Sequence, residues 1–178
     1  MTVAQSLQQF YTENNFKNDG GKSDDFFELK FKLITLKLPN SQFRKDVIHV
    51  HDIQHILYNC DTSWKGEAFI AGWEIGSKMW KHFPIGFMSL WAAGFSLLNY
   101  PKEVLKGYKE GIKCKGIIDL PHTEEALLKL SLNEIKELIK KEETLSFSWW
   151  KFLFWSVISS SVFLFPLLLL IAITFYFL

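Results

Sequence analysis

Between His51 and Glu67 the chain reads HDIQHILYNCDTSWKGE, which gathers two imidazoles and two carboxylates into one short segment. On a helix each residue turns about 100° from the last, so His51 and His55 share a face about 40° apart, with Asp52 about 60° round from His55. Glu67 follows a loop-like interval and opens the next helix. An antiparallel return of that helix would carry its carboxylate toward the histidines. Two imidazoles with two carboxylates form a nitrogen–oxygen set that suits zinc, and also iron(II) or manganese. Glu74 continues the Glu67 stripe as a carboxylate standing behind the ligands. The same spacing also fits a pair of surface histidines, a helix-stabilising Asp and a Glu at the favourable end of a helix dipole. Cys60, in the intervening loop, is the weaker alternative ligand. His49 faces away from His51 and reads as packing or solvent-facing, and His82 and His122 stand at helix boundaries without an assigned role.

The elements around this segment read as mainly helical. Residues 2–14 predict a helix that ends at the loop NDGGKS (18–23). In FFELKFKLITLKLPN, Phe27, Leu29, Phe31 and Leu33 alternate with charged residues, the period of a strand, and the alternation changes face near Leu33–Ile34. A short bent β element is expected there, ended by Pro39-Asn40. From Ser41 to Tyr58 the pattern is helical, with Ser41 as the cap and Phe43, Val47, Val50 and Leu57 as the apolar stripe. Residues 59–66 read as a loop, and a second helix is expected from Glu67 to about Lys81, presenting Phe69, Trp73, Gly76 and Trp80. The apolar stretch from Phe83 to Leu98 falls short of the roughly 17–25 residues of a spanning helix. It suits either a core helix or a wall that contacts lipid. Pro101 opens a charged amphipathic helix, Leu120-Pro121 interrupts it, and Ser131 with Glu134 has the spacing of a capping box.

The last segment is different in kind. No residue from Phe152 to Leu178 is charged. At about 1.5 Å per residue, roughly 20 of them cross a hydrocarbon core of about 30 Å. Trp149, Trp150 and Trp155 at one end and Tyr176 at the other suit interfacial positions, and Pro166 is tolerated in such a helix. Lys140, Lys141 and Lys151 precede the span, so the positive-inside bias places residues 1–147 on the cytoplasmic side, as suits a bacterial membrane protein. The N-terminal MTVAQSLQQFYTENN reads as neither a secretory signal nor a transit peptide. A formal net charge of +1 with mixed signs argues against nucleic acid as a partner. Cys60 and Cys114 make no disulfide framework.

His51-Asp52-x-x-His55, eleven residues, then Glu67 resembles the signature of the fourth Coq protein family of ubiquinone (coenzyme Q) biosynthesis. A Pro-Asn before the helix, Gly66 before the Glu, and an apolar segment followed by a Lys-rich helix are similar too, over roughly residues 24 to 140. The resemblance implies His51, Asp52, His55 and Glu67 as metal ligands in a mostly helical fold with a groove for isoprenoid lipid. It also implies action at a membrane surface and a link to replacing the carboxyl of a quinone-precursor ring with a hydroxyl. That replacement is an oxidation. Zinc has no redox chemistry, so bound zinc would act as a Lewis acid or structurally, and a redox role would need iron(II), manganese or a separate electron acceptor.

The expected organisation is an N-terminal helix and loop (1–23), a metal- and lipid-binding helical domain (24–147) and a C-terminal transmembrane anchor (148–178). The anchor departs from the peripheral attachment usual in that family. Phe83, Phe87, Leu90, Trp91 and Phe95 are the expected wall for a prenyl tail, with ordinary core as their alternative. One functional expectation is a metal-dependent oxidative decarboxylase acting on a prenylated quinone precursor or another isoprenoid lipid at the membrane. The other is a non-catalytic scaffold presenting such lipids to further quinone-biosynthesis proteins around a structural metal. Either is compatible with a homodimer. An HD-type phosphohydrolase is disfavoured, because no histidine precedes His49.

Overall fold

The computed structural model describes residues 1–31, 34–142 and 146–177. It is mainly α-helical, with one two-stranded antiparallel sheet near the N-terminus and a long apolar C-terminal helix. The chain forms two compact units, Met1–Asn59 with Pro121–Lys136, and Cys60–Leu120 with Glu137–Leu178.

The first unit begins with α1 (Val3–Glu13). The hydroxyl of Thr2 accepts from the Gln5 backbone N–H at 3.3 Å, and the side-chain Oε1 of Gln5 accepts from the Thr2 N–H at 2.9 Å, a complete capping box. Val3, Leu7, Phe10 and Tyr11 are buried, so α1 presents one face inward at helical spacing. Strands β1 (Phe26–Lys30) and β2 (Thr35–Pro39) pair with Phe27 opposite Leu38 and Leu29 opposite Leu36. The expected β element is therefore a hairpin; Lys32 and Leu33, the latter at the expected change of face, lie outside the described residues. Helix α2 (Gln42–Tyr58) starts at Ser41, whose hydroxyl accepts from the Arg44 N–H, and stops at Asn59 in the left-handed region at φ 51°. Helix α6 (Glu124–Lys129) and the start of α7 (Leu132–Ile139) complete this unit. Val3 donates to the Leu130 carbonyl at 2.7 Å, and Thr2 bridges to Ser131, so the later segment is joined to α1. Ser131 and Glu134 form the expected capping box.

In the second unit, α3 (Trp64–Gly76) starts three residues before Glu67. The Ser63 hydroxyl accepts from the Gly66 N–H and begins the helix there. The helix ends at Gly76, earlier than the spacing predicts, and a 3-10 turn, Met79–Lys81, follows after Lys78 at φ 72°. Helix α5 (Pro101–Gly111) packs on α3 through glycines. A Cβ on Gly72 would lie 2.1 Å from the Val104 carbonyl oxygen, and one on Gly107 would lie 1.9 Å from that of Phe69. Gly76 and Gly111 repeat the approach one turn on, toward Tyr108 and Trp73. Side chains are excluded along this seam, so the two backbones come into direct contact.

Helix α4 (Ile85–Asn99) lies against α8 (Trp149–Phe177), with Gly94 over the Ser159 backbone. Ala68, Ala71, Ile75, Ala93, Val104, Tyr108 and Phe152 form the core of this unit. Helix α8 has 29 residues, or about 43 Å at 1.5 Å each, and is long and apolar enough to cross a membrane.

Candidate functional site

Helix α2 brings His51 and His55 together. Their Nε2 atoms are 3.2 Å apart and their rings meet edge to face. For two ligand nitrogens each about 2.0–2.1 Å from one cation, this separation corresponds to an angle of about 100°, close to tetrahedral. The alternative is a hydrogen bond, in which one ring must be the N–H donor and the other the acceptor. His55 is fully buried, and Phe10 of α1 stacks on its ring at 5.8 Å between centroids. His51 is half-buried.

Asp52 is buried beside this pair. Its Oδ2 accepts a hydrogen bond from the Tyr11 hydroxyl at 2.8 Å. Burial pushes the Asp52 carboxyl above the ordinary carboxylate range, against the opposing pull of His51, the Tyr11 hydrogen bond and His55. Burial also raises the Tyr11 phenol, with the Asp52 charge acting in the same direction. Gly20 passes over the two groups at φ +64°; a Cβ there would lie 2.7 Å from the Tyr11 hydroxyl oxygen and 3.1 Å from Asp52 Oδ2. Only glycine combines that backbone conformation with that approach.

In the second unit, Glu67 occupies the first turn of α3, where the positive end of the helix dipole favours a carboxylate. The preceding loop is built tightly. Asp61 Oδ1 accepts from the Ser63 N–H at 3.1 Å and from its hydroxyl at 2.5 Å. A Cβ on Gly66 would lie 2.0 Å from the Asp61 carbonyl oxygen, which explains the glycine immediately before Glu67. Glu74 is buried and accepts from the Ser89 hydroxyl at 2.6 Å. Burial pushes the Cys60 thiol up to about 11, with Asp61, Glu67 and Glu103 adding to the shift. A thiol so shifted is a poor source of the thiolate that metals bind.

The five residues expected to face a lipid tail divide into two groups. Phe83 and Phe87 are exposed. Leu90 packs against the core of the second unit, while Trp91 and Phe95 close on Phe163 of α8 at 5.2 and 5.7 Å. Phe95 also meets Trp64 at 4.5 Å.

Two arrangements have no signal in the spacing. Phe10 and Tyr11 belong to the N-terminal helix, and both touch residues of the HDxxH segment. His82 pairs with Asp119 at 2.7 Å, and Lys81 reaches the same oxygen at 2.9 Å. His49 is buried, with Nδ1 3.5 Å from Glu124, a packing position. No family model, curated protein or solved structure matches the chain.

Proposed function

We propose that the chain is a membrane-anchored metal-binding protein of the Coq-four type, acting on the ring of a prenylated quinone precursor. On the motif's resemblance, His51, Asp52, His55 and Glu67 would hold one divalent cation. The observation that carries this reading is the 3.2 Å separation of the two imidazole nitrogens inside a motif with the eleven-residue interval to Glu67. The nitrogen–oxygen set suits zinc, and equally iron(II) or manganese where electrons must move.

The reaction is replacement of a ring carboxyl by hydroxyl. When water supplies the oxygen, the carboxyl leaves as carbon dioxide while two protons and two electrons pass on, the electrons to a two-electron acceptor such as a quinone. A bound cation would supply Lewis-acid polarisation of the carboxyl and ring oxygens. The chain's own residues orient and enclose. His55 is held by Phe10, Asp52 is held by Tyr11, and Glu67 is fixed by the tight Asp61–Gly66 loop. Helix α8 would keep the protein at the bilayer that already holds the substrate's prenyl tail, with residues 1–147 on the cytoplasmic side. Protease digestion of intact spheroplasts, which should spare that part, tests the sidedness.

Metal analysis of protein purified without added metal tests the site. His51→Ala and Glu67→Ala should each lose the metal, and full retention by both would remove the assignment. Deleting the gene should accumulate a carboxylated, prenylated quinone precursor, whereas normal quinone levels would exclude the enzymatic role. Exposure of Phe83 and Phe87 favours a second reading, a scaffold that presents prenyl lipids to other quinone-biosynthesis proteins. On that reading the metal is held without an exchangeable water, which relaxation of solvent protons by bound manganese would reveal.

A further inference from the structure

We infer that Tyr11 is a positioning residue for the metal site, and that α1 is part of that site. The inference rests on the metal-binding reading above. A carboxylate has two oxygens, and the Tyr11 hydroxyl takes Oδ2 of Asp52 at 2.8 Å. That bond fixes the orientation of a buried carboxylate on the helix that carries both histidines. One residue earlier on α1, Phe10 stacks on the His55 ring and limits its rotation. Two consecutive aromatic side chains therefore hold two of the four motif residues. Gly20 then closes over the Tyr11–Asp52 pair, so the hydroxyl has little room to choose another acceptor.

This arrangement has the form of the outer partners that orient metal ligands elsewhere, where their loss weakens metal affinity about 10- to 100-fold. Both groups are buried.

The test uses the full chain in detergent micelles, with cobalt(II) as the probe and two readouts, affinity and visible ligand-field bands. Tyr11→Phe keeps the ring and removes only the hydroxyl. It should weaken cobalt(II) binding about 10-fold and shift the bands. On an Asp52→Asn background, Tyr11→Phe should cost no more, because its effect runs through the carboxylate. Gly20→Ala displaces the hydroxyl without deleting it and should reproduce the same weakening, which covers the case in which Tyr11→Phe does not fold. Wild-type affinity and bands in Tyr11→Phe, or full additivity with Asp52→Asn, would overturn the positioning role while leaving the metal site intact. If the wild-type chain binds no cobalt(II), the metal reading fails and this inference goes with it.

Discussion

Ser89 on α4 donates its hydroxyl to Oε2 of Glu74 on α3 at 2.6 Å, and both side chains are buried. The acid that spacing sets behind the metal ligands is thereby tied into the packing of the second unit. Leaving a buried acceptor short of a donor costs about 1–3 kcal/mol. Ser89→Ala should lower stability by that amount in urea titrations while leaving metal content unchanged. Loss of metal with unchanged stability would return Glu74 to the metal's surroundings.

The α3–α5 seam makes a sharper demand. Any Cβ at Gly107 meets the Phe69 carbonyl at 1.9 Å, backbone against side chain with nothing flexible to yield. Overpacking costs about 1–3 kcal/mol and occasionally more, and a clash with rigid backbone belongs at the upper end. Gly107→Ala should accumulate in aggregates when the chain is expressed, whereas Gly21→Ala, whose added carbon has ordinary room, should pay only for its positive φ.

The two histidines should separate by their burial. His55 is fully enclosed and stacked on Phe10, so His55→Ala should destabilise the metal-free protein by about 2 kcal/mol or more through the cavity it leaves. His51, half-buried, should cost less than half of that. Both substitutions should abolish metal binding equally. Denaturation curves recorded with and without a chelator distinguish the two effects.

Asp119 gives a pH dependence. Burial alone would raise its carboxyl, but the Lys81 and His82 hydrogen bonds outweigh burial and hold it below the ordinary value of 3.8. A carboxylate depressed on folding stabilises above its unfolded value, and that contribution disappears as pH falls through the folded value. The stability gap between wild type and Asp119→Asn should therefore be full at neutral pH and close below about pH 3.8. An unchanged gap at low pH would show that shape, not charge, holds this corner.

Cys60 should be slow to alkylate. With its thiol near 11, the thiolate at pH 8 is roughly two hundredfold scarcer than for a free cysteine near 8.5. Mass spectrometry of iodoacetamide-treated protein should find Cys60 largely unmodified under conditions that label a peptide thiol fully. Cys60→Ser should keep its metal, which removes the alternative ligand.

The helix–loop–helix around the motif is legible in the sequence because its signals are local. Ser41 caps α2, and the 3.6-residue stripe runs from there to Leu57. The spacing starts α3 late because Ser63 caps it with Gly66 three residues on, which lacks the Glu of a capping box. The α4 stretch reads ambiguously between core and lipid wall, and it is divided: Leu90, Trp91 and Phe95 pack within their unit, while Phe83 and Phe87 do not. The Tyr11–Asp52 bond joins positions 41 apart, so no periodicity in a window can announce it. The same holds for His82 and Asp119, 37 apart.

The first unit is finished by residues that the second interrupts, since Pro121–Lys136 belong with Met1–Asn59. Synthesis order therefore matters. A nascent chain halted before Pro121 already contains both histidines of the motif, but it lacks the Leu130 carbonyl that takes the Val3 N–H and the Ser131 bridge to Thr2. Until those arrive, the first turn of α1 has only its own capping box, and the contacts of Phe10 and Tyr11 with His55 and Asp52 lack the support of the later segment. The histidine pair is thus translated early, while the last backbone links of its unit arrive late, shortly before the long apolar helix α8 is made.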